Sequence, residues 1–139
     1  MSKTKILIVA SDYYKEISNN LIDGVTSYLN EFHFDWIDYE IIYTPGSFEI
    51  PFLINRNKKN YAGFIALGCI IRGETYHFEL ISNEVTRKIM DLSININKPI
   101  GFGVLTCENI EQALERSDPN KLNKGAEAAK ACLELICGR

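Results

Sequence analysis

The sequence predicts an α/β fold: a parallel sheet with helices on both of its faces. Two observations carry that prediction. Apolar runs alternate with amphipathic stretches throughout the 139 residues, giving the order strand–helix repeated. Residues 62–67 are apolar without interruption, as in a strand buried on both sides, the condition of strands inside a parallel sheet.

Taken in order, residues 6–10 (Ile-Leu-Ile-Val-Ala) read as the first strand. Ile17, Leu21, Val25, Leu29 and Phe32 then recur at helical spacing, which predicts a helix over about 16–32. Residues 36–43 mix aromatic, aliphatic and acidic side chains in the alternation of a second strand. Thr44-Pro45-Gly46 breaks the chain. Ser47 is expected to cap a helix there, with Glu49 in the first turn and Pro51 still near it, where a missing N–H costs little. Phe48 and Phe52 would share a face of that helix. Residues 62–67 form the third strand and 68–74 a loop. Phe78, Ile81, Val85, Ile89, Leu92 and Ile96 step by three and four, predicting a helix over about 75–96. Residues 99–105 read as a fourth strand, 108–115 as a short helix, 117–120 as a turn, and 121–137 as an alanine-rich last helix. No internal repeat, linker or low-complexity tract interrupts the order, so residues 1–139 are expected to form one domain.

Bulk properties narrow the function. A net charge of -3 lacks the basic excess of a nucleic-acid binder. No stretch is long and apolar enough to span a bilayer, and the apolar run after Lys5 is too short for a signal-peptide core. No membrane partner and a cytoplasmic location are expected. Cys69, Cys107, Cys132 and Cys137 form no C-x-x-C pair, so they read as free thiols acting as small apolar residues, with no metal site.

Ligands of open parallel sheets bind beyond the carboxyl ends of the strands. Residues 11–14, 45–49, 69–77 and 106–109 fall there. Free N–H groups at a helix start make an anion site, and the loop from Gly68 to Thr75 supplies such a start, a reading stronger than that of a strand–helix turn needing glycine for geometry alone. Its spacing mimics a phosphate-binding G-x-x-x-x-G-K-T loop, but Glu74 stands in place of the lysine and would repel a triphosphate. His77, just past the loop, can take and give a proton near neutral pH, or be an idle first-turn histidine. Glu49 can accept bonds from ligand hydroxyls; as a first-turn acid it would instead contribute up to about 1 kcal/mol to its helix, and on position alone that reading is the stronger. Tyr13 and Tyr14 can stack on a planar ring or pack on the first helix, and Phe102 has the same two readings. Gly101 and Gly103 make no dinucleotide fingerprint. Arg116 can clamp a phosphate with two parallel bonds or remain solvated, with Lys124 beyond the same turn. His33, between phenylalanines, reads as structural or exposed.

Four ordered segments resemble one family, the lumazine synthases, from about residue 5 to residue 135. They are Pro45-Gly46-Ser47-Phe48-Glu49-Ile50-Pro51, Leu67-Gly68-Cys69-Ile70-Ile71-Arg72-Gly73-Glu74-Thr75-Tyr76-His77, the run from Phe102 to Asn109 with Gln112-Ala113-Leu114-Glu115-Arg116, and Asn123-Lys124-Gly125 with Ala128. The resemblance implies a flavodoxin-like three-layer αβα sandwich with a four-stranded parallel sheet. It implies a transferase of riboflavin biosynthesis. That enzyme condenses 5-amino-6-(D-ribitylamino)uracil with 3,4-dihydroxy-2-butanone 4-phosphate to give 6,7-dimethyl-8-ribityllumazine, phosphate and water.

By the same resemblance, His77 shuttles protons and Arg116 binds the phosphate. N–H groups of Gly73, Glu74 and Thr75 assist, and Lys124 adds positive charge. Tyr13 and Phe102 pack on the pyrimidine, Ser47, Phe48 and Glu49 hold the ribityl chain, and Cys69, Ile70 and Ile71 meet the pyrimidine edge through backbone groups. No metal or organic cofactor is implied. The implied unit is a homopentamer whose sites lie between subunits, with His77 from one and Phe102, Arg116 and Lys124 from the next, in some members built into a 60-subunit shell. Riboflavin synthase is a further implied partner. The sequence departs from the family at its short N-terminus, at Tyr14 in place of a small polar residue, and at residues 117–122, which lack the glycines common in shell-forming members.

Overall fold

The computed structural model describes residues 3–33 and 35–138. Met1, Ser2, Phe34 and Arg139 lie outside the described residues, and with Phe34 goes one of the two phenylalanines expected around His33. The chain runs β1 (Thr4–Ser11), α1 (Lys15–Phe32), β2 (Ile37–Thr44), a 3₁₀ turn (Ser47–Glu49), α2 (Ile50–Arg56), β3 (Gly63–Ile71), α3 (His77–Ile96), β4 (Ile100–Cys107), α4 (Ile110–Ser117) and α5 (Lys124–Ile136). The strands form one sheet in the order β2-β1-β3-β4, with every neighbouring pair parallel. This is the expected flavodoxin-like three-layer α/β arrangement.

The most apolar runs became the two central strands. Along β1, Ile6, Ile8 and Ala10 face one core while Leu7 and Val9 face the other. Along β3, Ile65, Leu67 and Cys69 join the first core, and Phe64, Ala66 and Ile70 the second. The first core is closed by Ile17, Leu21, Val25 and Leu29 of α1 and by Ala128, Ala129, Cys132 and Leu133 of α5. The second is closed by Ile50 and Ile54 of α2 and by Phe78, Val85, Ile89 and Leu92 of α3. Each such leucine, isoleucine or valine side chain, fully removed from water, contributes about 1.5–3 kcal/mol before entropy is counted.

The alanines and glycines of the last third set distances between layers. A Cβ on Gly101 would lie 2.1 Å from the carbonyl oxygen of Ala128, and one on Gly125 would lie 2.2 Å from that of Leu21. These positions let α5 approach both β4 and α1 at backbone distance.

The structure moves several expected boundaries. β3 does not stop at Leu67 but runs to Ile71, paired with β4 from Gly68 opposite Val104 to Ile71 opposite Cys107. Gly68 is therefore no loop residue. It makes room for Ser47, whose hydroxyl would sit 2.5 Å from an added Cβ. Ser47 does not cap a helix: Gly46 holds that position, and the Glu49 carboxylate reaches back to accept the Gly46 N–H at 3.1 Å. α3 begins at His77, after Tyr76 at the N-cap position, and the Thr75 hydroxyl accepts the His77 N–H at 3.2 Å. α4 begins at Ile110, where Asn109 accepts the Gln112 N–H and the Gln112 side chain accepts the Glu108 N–H. α5 begins at Lys124, since Asn123 adopts the left-handed conformation (φ 50°) that asparagine tolerates.

Candidate active site

Three of the four segments expected at the carboxyl end of the sheet converge on one cavity. β1 pairs with β3 only as far as Ala10 opposite Leu67, while β3 continues for four more residues to Ile71. Beyond Leu67 this strand has a strand neighbour on the β4 side alone. Its other edge offers backbone donors and acceptors that no strand uses, lying in the plane of the sheet, where a flat ligand with edge hydrogen-bonding groups can add itself.

A cavity of about 470 Å³ opens along that edge, within the usual range for small-molecule sites. Tyr13 and Tyr14 line it from the β1–α1 connection. Gly46, Ser47, Phe48 and Glu49 line it from the 3₁₀ turn, Cys69, Ile70 and Ile71 from β3, and His77 and Ile81 from α3.

The two tyrosines divide the alternatives that the sequence left open. Tyr14 packs against the core beneath α1, and burial raises its phenol above the ordinary value. Tyr13 is 72% exposed and meets Tyr14 edge to face at 4.9 Å. The Tyr13 ring is thus braced on one side and open on the other. Ser47 is buried, yet its hydroxyl has no hydrogen-bond partner among the described residues. A buried hydroxyl without a partner is uncommon and costly, and a ligand hydroxyl at the cavity wall would satisfy it. Glu49 fulfils the capping role and lines the cavity as well.

His77 opens α3 and is exposed at the cavity. Ile81, one turn later on the same face, lines the cavity too, although its place in the periodic stripe marks it only as core. Spacing from His77 is the signal that could have found it, since residues four apart share a helix face. The loop before His77 is exposed, and among the described residues the N–H groups of Gly73, Glu74 and Thr75 donate to no protein acceptor.

Cys69 meets the cavity with a thiol, not a thiolate. Burial, aided by the adjacent Cys107 thiol and only partly opposed by Arg116, pushes it up to about 12. Cys107 and Cys132 are buried like Cys69, but Cys137 is exposed and departs from the apolar role expected of it.

Glu74, Thr75, Phe102, Arg116 and Lys124 are not among the residues lining this cavity. Phe102 lies on the edge strand β4 and is 42% exposed. The Arg116 guanidinium turns back on the end of β4, donating to the Thr106 carbonyl at 3.1 Å and lying 3.6 Å from the Cys107 sulfur. Lys124 pairs with Glu127 at 3.1 Å. The structure therefore brings His77 together with the tyrosine, the 3₁₀ turn and the open strand edge around one cavity. Arg116 and Lys124, the expected phosphate-binding cations, bond within β4, α4 and α5 and do not line it. Among the described residues no group of three potential metal ligands is gathered, and no helix is long and apolar enough to cross a membrane.

The sequence matches the 6,7-dimethyl-8-ribityllumazine synthase family over residues 3–138. The chain belongs to that family. It is thereby an enzyme of riboflavin biosynthesis, of the transferase class. Relatives carrying that name include one from Bartonella tribocorum, 44% identical over 96% of this chain and 89% of the relative. Another, from Agrobacterium fabrum, is 41% identical over 98% and 95% respectively. A third, from Limosilactobacillus reuteri, is 38% identical over 98% and 90%. The match spans every element that lines the cavity, so the whole of its wall belongs to the lumazine synthase framework.

Proposed function

We propose that this chain condenses 5-amino-6-(D-ribitylamino)uracil with 3,4-dihydroxy-2-butanone 4-phosphate. The observation that carries the residue assignments is the open edge of β3 at Cys69, Ile70 and Ile71, flanked by Tyr13, Ser47 and His77. A uracil ring stacks on the exposed face of Tyr13 and meets that edge through its in-plane carbonyl and N–H groups. The ribityl chain lies along the 3₁₀ turn, where the Ser47 hydroxyl and Glu49 bind its hydroxyls and Phe48 covers it.

The amine of the pyrimidine attacks the ketone carbon and an imine forms with loss of water. His77, beside the reacting atoms, carries the protons between nitrogen and oxygen. Phosphate then leaves, and ring closure expels water. The free N–H groups of Gly73, Glu74 and Thr75, with the positive end of the α3 dipole, stabilise the departing anion. Holding two substrates in register supplies a large share of the acceleration, and fixed donors at the leaving group add to it.

Phe102, Arg116 and Lys124 act from a neighbouring subunit, with Arg116 as the phosphate clamp. The placement of these three away from the cavity of their own chain supports that reading. The assembly is a closed ring of five, formed through a heterologous contact, and it operates in the cytoplasm.

Incubating the purified protein with both substrates tests the assignment through the fluorescence of the lumazine product. Arg116→Ala is expected to raise KM for the phosphorylated ketone about tenfold or more, the loss of a charge-assisted hydrogen bond. KM for the amine should change little. Equal rises for both substrates would remove the phosphate role.

A further inference from the structure

Arg72 leaves β3 directly after its last paired residue and touches three elements at once. Its N–H bonds the Cys107 carbonyl at 2.9 Å. Its side chain donates through Nη1 to the Glu79 carboxylate, in the first turn of α3, and through Nε to Glu108, between β4 and α4, at 2.8 Å. The guanidinium carbon lies 4.5 Å from the centroid of the Phe78 ring. Phe78 and Glu79 are the two residues after His77.

We propose that Arg72 is a positioning residue for His77, fixing the first turn of α3 so that the imidazole is held at the cavity. The proposal rests on the reading of His77 as the proton carrier. One guanidinium holds the ring after His77 by its face and the carboxylate after that by an N–H, so rotation or retreat of the turn breaks both contacts. The exposed loop of Gly73, Glu74 and Thr75 is thereby anchored at each end. A direct role in anion binding does not fit this cation, because two carboxylates already face it. Hydrogen bonding from Arg72 lowers the Glu79 carboxyl below its ordinary value, so the pair stays ionised at neutral pH. Exposed ion pairs of this kind add little to global stability, which leaves local geometry as what the arrangement secures. Lysine replaces it only in part, since an ammonium lacks the planar fork that reaches two carboxylates and covers a ring.

The test is a double-mutant cycle on the assembled enzyme, reading kcat, both KM values and native mass. Arg72→Gln is expected to lower kcat about tenfold to a hundredfold, the range of a displaced catalytic group. Both KM values and the assembly should be unchanged, and Arg72→Lys should recover only part of the loss. On a His77→Ala background the same Arg72→Gln change should lower kcat no further. An equal loss on both backgrounds, or wild-type kcat in Arg72→Gln, overturns the positioning role while leaving the proton-carrier reading intact. Unchanged turnover in His77→Ala alone overturns both. Should Arg72→Gln fail to assemble, Glu79→Gln carries the same cycle, because it leaves the guanidinium its contacts with Glu108 and Phe78.

Discussion

His77 is a residue whose type and position were both legible, but whose surroundings were not. A histidine just after a strand–loop junction can be idle; its place on the cavity wall supports the proposed task. Its removal tests the task directly: His77→Ala should lower kcat about a hundredfold or more, the usual worth of a positioned proton carrier, with the oligomer intact by light scattering. The cysteines make a second point at this scale. A thiol reacts through its thiolate, and the upward shift of Cys69 and Cys132 to about 12 keeps both protonated at neutral and mildly alkaline pH. Cys137 alone among the four is exposed. One equivalent of iodoacetamide label per folded chain is therefore expected, on the peptide containing Cys137, with the remainder labelled only after unfolding. Early labelling of Cys69 would contradict the burial argument.

Elements were read best where a face repeats. The stripes of α1 and α3 were visible because burial on one side of a helix leaves a 3.6-residue signature. Ends were read less well, because caps and register depend on partners distant in the chain. Gly68 looked like punctuation, but its neighbour across the sheet and the Ser47 hydroxyl make it an interior strand position. Arg72 lay inside a recognised motif, yet nothing in its sequence neighbourhood tells of Glu108, reached through the fold. The α1–α5 crossing offers a prediction at this scale. Gly125→Ala pushes a methyl into the Leu21 carbonyl, and should destabilise the protein by about 1–3 kcal/mol, as overpacking does. Chemical denaturation measures this, and a loss well under that range would mean that the helices can separate at little cost.

At the scale of the whole molecule, the proposed phosphate-binding cations do not line the His77 cavity of their own chain. The His77 cavity lies along the free edge of β3, while Arg116 bonds the end of β4 and Lys124 pairs with Glu127. Phe48, Phe52, Leu80 and Phe102 are exposed on the single chain, which supports the proposed assembly. If each site joins His77 of one subunit to Arg116 of the next, two crippled variants can repair each other. Co-refolding His77→Ala with Arg116→Ala in equal amounts should restore about a quarter of wild-type activity. In a heterologous ring that is the fraction of boundaries at which both intact groups meet. Activity no greater than that of the separate variants would place both groups in the same chain's site.

The sequence alone determined the strand–helix order, the two-sided burial of the central strands, and the residue types at the carboxyl end of the sheet. Those come from local patterning, because backbone hydrogen bonding and apolar burial impose fixed periods on a chain. It also carried the family motifs, since they are contiguous. Only the tertiary structure decided which of those residues share a cavity, that β3 outruns β1 to leave an open edge, and that Arg72 braces the turn after His77. These depend on register, close approach and side-chain direction between segments far apart in the chain, and such quantities come into being only when the layers pack.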